Sequence, residues 1–166
     1  MDVFDEELIR FWKTANLFSL KYIMIGGVAT NLHGFHRTTA DIDIWIEDSK
    51  INREKLRQVF FEYGLGDFEA FKDLQFVPGW TYFYLNNGIR LDIMTSVKGL
   101  DKGFDLYLDV ASVATIYEVD VPFLHLNDLL DSKKATNRPK DQIDLIELEK
   151  IKKILEIENR NNQGGF

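Results

Sequence analysis

Asp41-Ile42-Asp43 heads the alternating run DIDIWI, and its residue types and spacing point to chemistry more directly than any other stretch. Side chains of an extended strand alternate, so the two carboxylates share one face. Held together they repel each other, and a cation between them relieves the repulsion. Carboxylate oxygens suit Mg2+, which keeps several waters and accepts substrate phosphates as further ligands. A third acid, Asp92, stands between Leu91 and Ile93 in IRLDIMT. A charge in so apolar a setting needs a partner, and a metal supplies one; a plainer reading pairs it with Arg90 or Arg37. Three acids and two Mg2+ ions about 4 Å apart would polarise an attacking hydroxyl and stabilise a leaving pyrophosphate. Asp92 would then hold the ion near the nucleophile or take the nucleophile's proton.

Gly26 and Gly27 follow the apolar run KYIMI. If a strand ends there and a helix begins, bare backbone N–H groups can approach a phosphate where the helix dipole favours an anion. Arg37, Thr38 and Thr39 lie between the glycines and the aspartates, where they can contact phosphate or steady the metal-bearing strand. His33 and His36, three residues apart near a helix end, read as packing or capping groups rather than ligands. The run KKATNRPK reads by itself as a solvated helix end.

The elements that must carry these residues follow from periodicity. Phe4, Leu8, Phe11, Trp12 and Ala15 recur at helical spacing behind acids in the first turn, predicting a helix over 4–18. KYIMIGG predicts a buried strand, VATNLHGF a two-turn helix ending near Gly34, and ADIDIWIE a second strand. Asp48 or Ser49 can cap a helix over INREKLRQVFFEYG, closed by Gly64. LQFVPG is weakly strand-like, whereas WTYFYL-NNG-IRLDIMT is a strong hairpin pattern. The aromatics of WTYFYL, with Phe35, could stack on a base, although strand aromatics more often fill a core. FDLYLDVA suggests a short helix, and ATIYEVDVPFLH one or two strands, with Pro122 favouring an edge or a break. Asn127 is expected to cap DLLDSKKAT. A long helix follows with Ile143, Ile146, Ile151, Ile154 and Leu155 inward, and NRNNQGGF forms a frayed tail. Strands and helices mix without strict alternation, which indicates an α+β fold.

Bulk composition fits this. The chain of 166 residues is long enough for one domain with a real core, with 45% hydrophobic and 28% charged residues. No apolar run is long enough for a membrane span, and the acidic N-terminus is unlike a signal peptide, so a cytoplasmic location is expected. The absence of cysteine excludes disulfides and thiolate metal sites. A net charge of −7 argues against a general nucleic-acid binder, though not against an enzyme that docks RNA through a local patch.

Gly26-Gly27, thirteen intervening residues, Asp41-Ile42-Asp43 and a later Asp92 together resemble the pattern of the nucleotidyltransferase fold superfamily. GGVATNLHGFHRTTADIDIWI looks most like bacterial minimal nucleotidyltransferases, including toxin-type members of the AbiEii kind. LLDSKKATNRPKDQIDLIEL is similar to their C-terminal helical segment. The resemblance implies a mixed β-sheet flanked by helices in one domain over 1–166, with a core of about 20–125 and a helical segment of about 126–160. It implies that Gly26 and Gly27 cradle a nucleotide triphosphate, and that Asp41, Asp43 and Asp92 bind Mg2+. Lys133, rather than Lys134, would reach the phosphates, with Arg37, Thr39, Arg138 and Lys140 as further contacts and Asp141 beside them. Many members carry Gly-Ser where Gly27 stands, so a serine contact is missing here. The implied activity is Mg2+-dependent transfer of a nucleoside monophosphate to an acceptor hydroxyl on RNA, a protein or a small molecule. An antitoxin is an implied partner. The alternatives are an inactive nucleotide-binding regulator of the same fold and a plain structural domain.

Overall fold

The computed structural model describes residues 5–163. Helix α1 (Glu6–Leu17) starts at Asp5, whose carboxylate accepts from the N–H groups of Glu7 and Leu8. Strand β1 (Tyr22–Ile25) runs into α2 (Gly26–Leu32), then β2 (Asp41–Ile46) and α3 (Lys50–Tyr63). Ser49 caps α3, and Gly64 ends it in the left-handed region. Strands β3 (Tyr82–Tyr84) and β4 (Arg90–Met94) form the expected hairpin, followed by α4 (Phe104–Asp109), β5 (Ser112–Ile116) and β6 (Val119–Phe123). The chain closes with α5 (Leu126–Thr136) and α6 (Pro139–Gln163). Phe4 and residues 164–166 of the expected tail lie outside the described residues; residues 159–163 continue α6.

The six strands form one mixed sheet in the order β3-β4-β2-β1-β6-β5. Strands β2 and β4 are parallel, while β1 with β2 and β3 with β4 are antiparallel. Registered neighbours share a face. Ile42, Leu91 and Phe83 align across β2, β4 and β3 on the face packed by α3, where Phe83 meets Phe60 edge to face at 4.9 Å. The same rings reach α1 through Phe11 against Phe60. Asp41, Asp43 and Asp92 occupy the opposite face, partly roofed by α5. Among the described residues no helix is long and apolar enough to cross a membrane.

Four expectations differ. Residues 74–79 form no strand, because the Arg53 guanidinium takes the carbonyls of Phe71 and Leu74 at 2.8 Å each and covers the Phe76 ring. Pro122 sits in an interior strand, not at an edge. The proline is tolerated where β1 and β6 share a single registered pair, Met24 with Phe123. His125 caps α5 in place of Asn127, its Nδ1 accepting from the Asn127 N–H. The inward face of α6 is Asp141, Asp144 and Leu148, with Ile151 partly buried, while Ile143, Ile146, Ile154 and Leu155 are exposed.

Buried ion pairs set that rotation. Asp144 receives Arg37 through Nε at 2.7 Å and Nη2 at 2.9 Å, and Lys133 Nζ at 2.6 Å. An apolar stripe gains a little by turning inward; a buried carboxylate losing both cations loses far more. Asp144→Ala is therefore expected to destabilise the protein by about 3–5 kcal/mol, whereas Ile143→Ala stays within about 0.5 kcal/mol. Urea unfolding midpoints of the two variants check this.

Candidate active site

Strand register assembles the acidic cluster. Asp43 is paired with Asp92 across β2 and β4, and Asp41 sits one alternation away on the same face. One carboxylate oxygen from each lies within 4.8 Å of the others, a set that could hold a metal ion. Asp92 is buried, and Arg90 donates from Nη2 to its Oδ1 at 2.7 Å. Its Oδ2 is equally shielded and meets no donor among the described residues. A buried anionic oxygen without a donor is costly, and a hard cation shared with two neighbouring carboxylates is the ligand that suits it. The donor set thus fits Mg2+.

Burial pushes the Asp43 carboxyl up to about 6, with the charges of Asp41 and Asp92 adding to it and those of Lys140 and Arg138 opposing. Asp141 behaves oppositely. Burial disfavours its charge, but the Arg138 guanidinium, the Thr136 hydroxyl and the Arg138 N–H bring it down to about 2.

Gly26 lines the cleft and has φ +67. The Asp43 carboxylate lies over its Cα, where a methyl group would overlap Oδ2. Here the glycine makes room for an acid as well as a turn. Gly27 is buried at the start of α2, where an added Cβ would meet the Thr39 hydroxyl and the Arg37 guanidinium, and it does not line the cleft. Neither Arg37 nor Thr39 lines the cleft. Arg37 is committed to Asp144, and the Thr39 hydroxyl bonds the Asp41 carboxylate at 3.2 Å and its carbonyl at 3.3 Å. Both brace the strand that carries the acids.

The cleft has a volume of about 540 Å³. Lys133 from α5, Arg138 from the link and Lys140 from α6 form one wall, and Pro78, Gly79 and Arg90 form another. Lys133 is buried and held by Asp144 at 2.6 Å, with Asp141 at 3.8 Å; Arg138 pairs with Asp141; Lys140 is exposed. Lys134 pairs with Glu149 instead. His33 bonds the Leu124 carbonyl and packs on Phe123, a structural role. Sequence reasoning left out Arg90 as a cleft residue, together with Ser96, Lys98, Ser132 and Thr136. Arg90 was legible, since an i,i+2 partner on the same strand face as Asp92 is close by construction; the others depend on how α5 docks.

A mixed sheet bearing an aspartate pair, a third acid on the parallel neighbour and a glycine beneath them defines a nucleotidyltransferase-type centre. Solved structures of that class share the fold. A candidate nucleotidyltransferase from Thermotoga maritima is 15% identical, with 94% of this chain and 91% of that one covered and a TM-score of 0.51. An antigenic nucleotidyltransferase-like protein from Paracoccidioides brasiliensis is 19% identical, covering 86% and 74%, at 0.52. ANT(2″)-Ia, an antibiotic-resistance factor solved with adenylyl-2″-tobramycin, is 17% identical, covering 95% and 97%, at 0.51. No curated protein sequence matches the chain. Residues 4–159 match the family described as nucleotidyltransferase of unknown function (DUF6036), and the chain belongs to that family. The superfamily resemblance read from the glycines and aspartates holds; the match does not extend it to toxin-type members in particular.

Two outcomes follow from the geometry. Gly26→Ala combines a strained φ with a collision at Asp43, so a loss of about 1–3 kcal/mol of stability is expected, together with a weakened response to divalent metal in thermal melts. Asp43, raised above its ordinary 3.8, favours the folded state when protonated. Its contribution is present below about pH 4 and lost as pH rises towards 6 in metal-free protein. Metal competes with that proton, so Mg2+ or Mn2+ should raise the melting temperature strongly at pH 7.5 and hardly at pH 5. Asp141 acts in a separate, lower window, between about 2 and 3.8. Melts in MgCl2 against EDTA across this range measure the effect, and Asp43→Asn should flatten it.

Proposed function

We propose that the protein transfers a nucleoside monophosphate from a nucleotide triphosphate to an acceptor hydroxyl in a Mg2+-dependent reaction, with Asp41, Asp43 and Asp92 holding the metal. The observation that carries this reading is the buried Asp92 Oδ2, without a donor among the described residues, in a cluster whose other members are carboxylates. Metal bound there would polarise the acceptor hydroxyl and offset charge on the leaving oxygen. The acceptor oxygen forms a bond to the α-phosphorus, the bond from that phosphorus to the α–β bridging oxygen breaks, pyrophosphate leaves, and the hydroxyl proton passes to solvent. ANT(2″)-Ia, seen with adenylyl-2″-tobramycin, supports nucleotide transfer as chemistry for this scaffold.

The chain's own groups divide the work. Arg138 and Lys140, exposed on the cleft wall, are suited to bind triphosphate oxygens by charge-assisted hydrogen bonds. Lys133 lies deeper and, fixed by Asp144, offers a positioned positive charge rather than a mobile one. Gly26 keeps the floor beneath Asp43 clear, with the N-terminus of α2 beside it. Arg90 engages one oxygen of Asp92, which makes the unpaired Oδ2 the better-placed ligand and favours metal binding over a general-base role. Arg37, Gly27 and Thr39 position the aspartate strand instead of touching phosphate.

Incubation with α-labelled nucleotide triphosphates and Mg2+, followed by label transfer and pyrophosphate release, tests the proposal. Asp43→Asn is expected to lower turnover about a thousandfold or more while melting, in EDTA at neutral pH, no lower than the parent, since the amide relieves the carboxylate repulsion. Wild-type turnover in that variant would refute the metal role.

A further inference from the structure

The sheet edge beside Asp92 carries aromatic side chains that the core does not use. In β3 only Phe83 turns inward, against Phe60, Phe68 and Phe71. Tyr82 and Tyr84 face the other way, 42% and 59% exposed, and Trp80 just before them is 82% exposed. Single exposed aromatics are ordinary, but Tyr82 and Tyr84 in ring contact, with Trp80 exposed in the turn that leads into them, mark a binding surface. The face of Tyr82 and Tyr84 is the one that bears the acids: Tyr82 is registered with Asp92, and Tyr84 with Arg90. Asp43, Asp92 and Tyr82 therefore form one row across three adjacent strands, each about 4.8 Å from the next. Arg90 ties this shelf to the acids. Its guanidinium lies 4.0 Å from the Tyr82 ring centroid while it holds Asp92 Oδ1. The Tyr82 and Tyr84 rings meet edge to face at 5.8 Å.

The direction of the reaction assigns the shelf. In-line displacement sets the attacking and leaving oxygens on opposite sides of the phosphorus. With the triphosphate against the cationic wall of Lys133, Arg138 and Lys140, the acceptor enters over Asp92, from the β3 side. We propose that Trp80, Tyr82 and Tyr84 form the acceptor subsite and stack a nucleobase, so that the hydroxyl receiving the nucleotide belongs to a nucleoside. The proposal rests on the nucleotidyl-transfer reading and names its second substrate. An aromatic shelf with one arginine reads a base by its π face. A free nucleoside monophosphate and the 3′ end of a single-stranded RNA share this chemistry.

Trp80 also supplies the readout, because Trp12 and Trp45 are buried at 1% and 3%. The full chain, saturated with a non-hydrolysable nucleotide triphosphate analogue and Mg2+, is titrated separately with AMP, a short oligoribonucleotide with a free 3′ hydroxyl, and an amino sugar lacking a planar ring. Saturable quenching of tryptophan emission by AMP or the oligonucleotide, and none by the sugar, is expected. Tighter binding of the oligonucleotide by tenfold or more identifies an RNA end; equal binding identifies a free nucleotide. Tyr84→Ala should weaken acceptor binding about tenfold, and Trp80→Ala should raise the acceptor KM similarly, both with analogue binding unchanged by calorimetry. Quenching complete with the analogue alone would give the shelf to the donor's base and overturn the proposal. So would the absence of quenching by either acceptor, or transfer to the amino sugar that Trp80→Ala leaves untouched. In those cases intact analogue binding and pyrophosphate release leave the transfer reading standing. Failure of the wild type to bind the analogue sinks that reading, and the subsite with it.

Discussion

Placing Asp92 level with Asp43 on the neighbouring parallel strand is the constraint on which the rest depends. Two carboxylates so placed, with Asp41 beside them, resist being charged together, and the sheet must be held in this register against that repulsion. The reverse face does the holding. Ile42, Ile44, Leu91, Ile93 and Phe83 are packed beneath the acids. A slip of one residue in β2 would turn its apolar set towards the cleft and the aspartates into the core. Hydrophobic burial on one face thus sets the spacing of charges on the other, and the electrostatic cost of the site is met by packing that takes no part in chemistry.

A second set of charges orients the wall opposite. Asp144 gathers Arg37, from the segment before β2, and Lys133, from α5, into one buried cluster, while Asp141 draws in Arg138 and the Thr136 hydroxyl. Breaking either cluster by removing one partner strands a buried charge, which makes such clusters strong determinants of geometry even where their net stabilisation is small. The cations of the cleft are graded as a result. Lys133 is fixed and largely neutralised, Arg138 half committed, and Lys140 free to reach a ligand. The segment leading into the aspartate strand and the helical wall share the Arg37–Asp144 link, which fixes α6 relative to β2.

The triad was legible because its information is local: Asp41 and Asp43 declare a shared face by alternation, and Asp92 by its apolar neighbours. The helix caps at Ser49 and Gly64 and the Asn-Gly hairpin were legible for the same reason. Nearness in sequence to the glycines and aspartates leaves Arg37 two roles, contacting phosphate or steadying the aspartate strand, and does not choose between them. The partner of Arg37 is 107 residues away, and no pattern within one segment announces it. The rotation of α6 was misread on the same ground. Two faces of that helix are plausible interiors, an isoleucine stripe and an Asp141–Asp144–Leu148 face, and hydrophobicity alone selects the first. Only the positions of Lys133 and Arg37 select the second. Gly26 is intermediate: a turn glycine is plain in sequence, but the carboxylate above it appears only when β1 and β2 pair, Ile25 opposite Asp43.

The acidic cluster and the proposed acceptor shelf rest on parts of the sheet with different rigidity. Strands β2 and β4 are interior, paired on both sides, and carry the three acids, while β1, also interior, leads directly into Gly26 at the start of α2, so the geometry of the acidic cluster is set by the core. Strand β3 is an edge of three residues, held by its ladder to β4 and by the Leu85 N–H to Ile89 carbonyl bond at the turn. Side chains there can change without disturbing the core, which is where variation in substrate choice is least costly. Proteins at 15–19% identity share this fold, so the scaffold tolerates wide change in side chains outside its core. The acidic balance of the chain fits that division. Its −7 net charge gives no general attraction for a polyanion, so the proposed phosphate binding would rest on the local cations of the cleft, Lys133, Arg138 and Lys140.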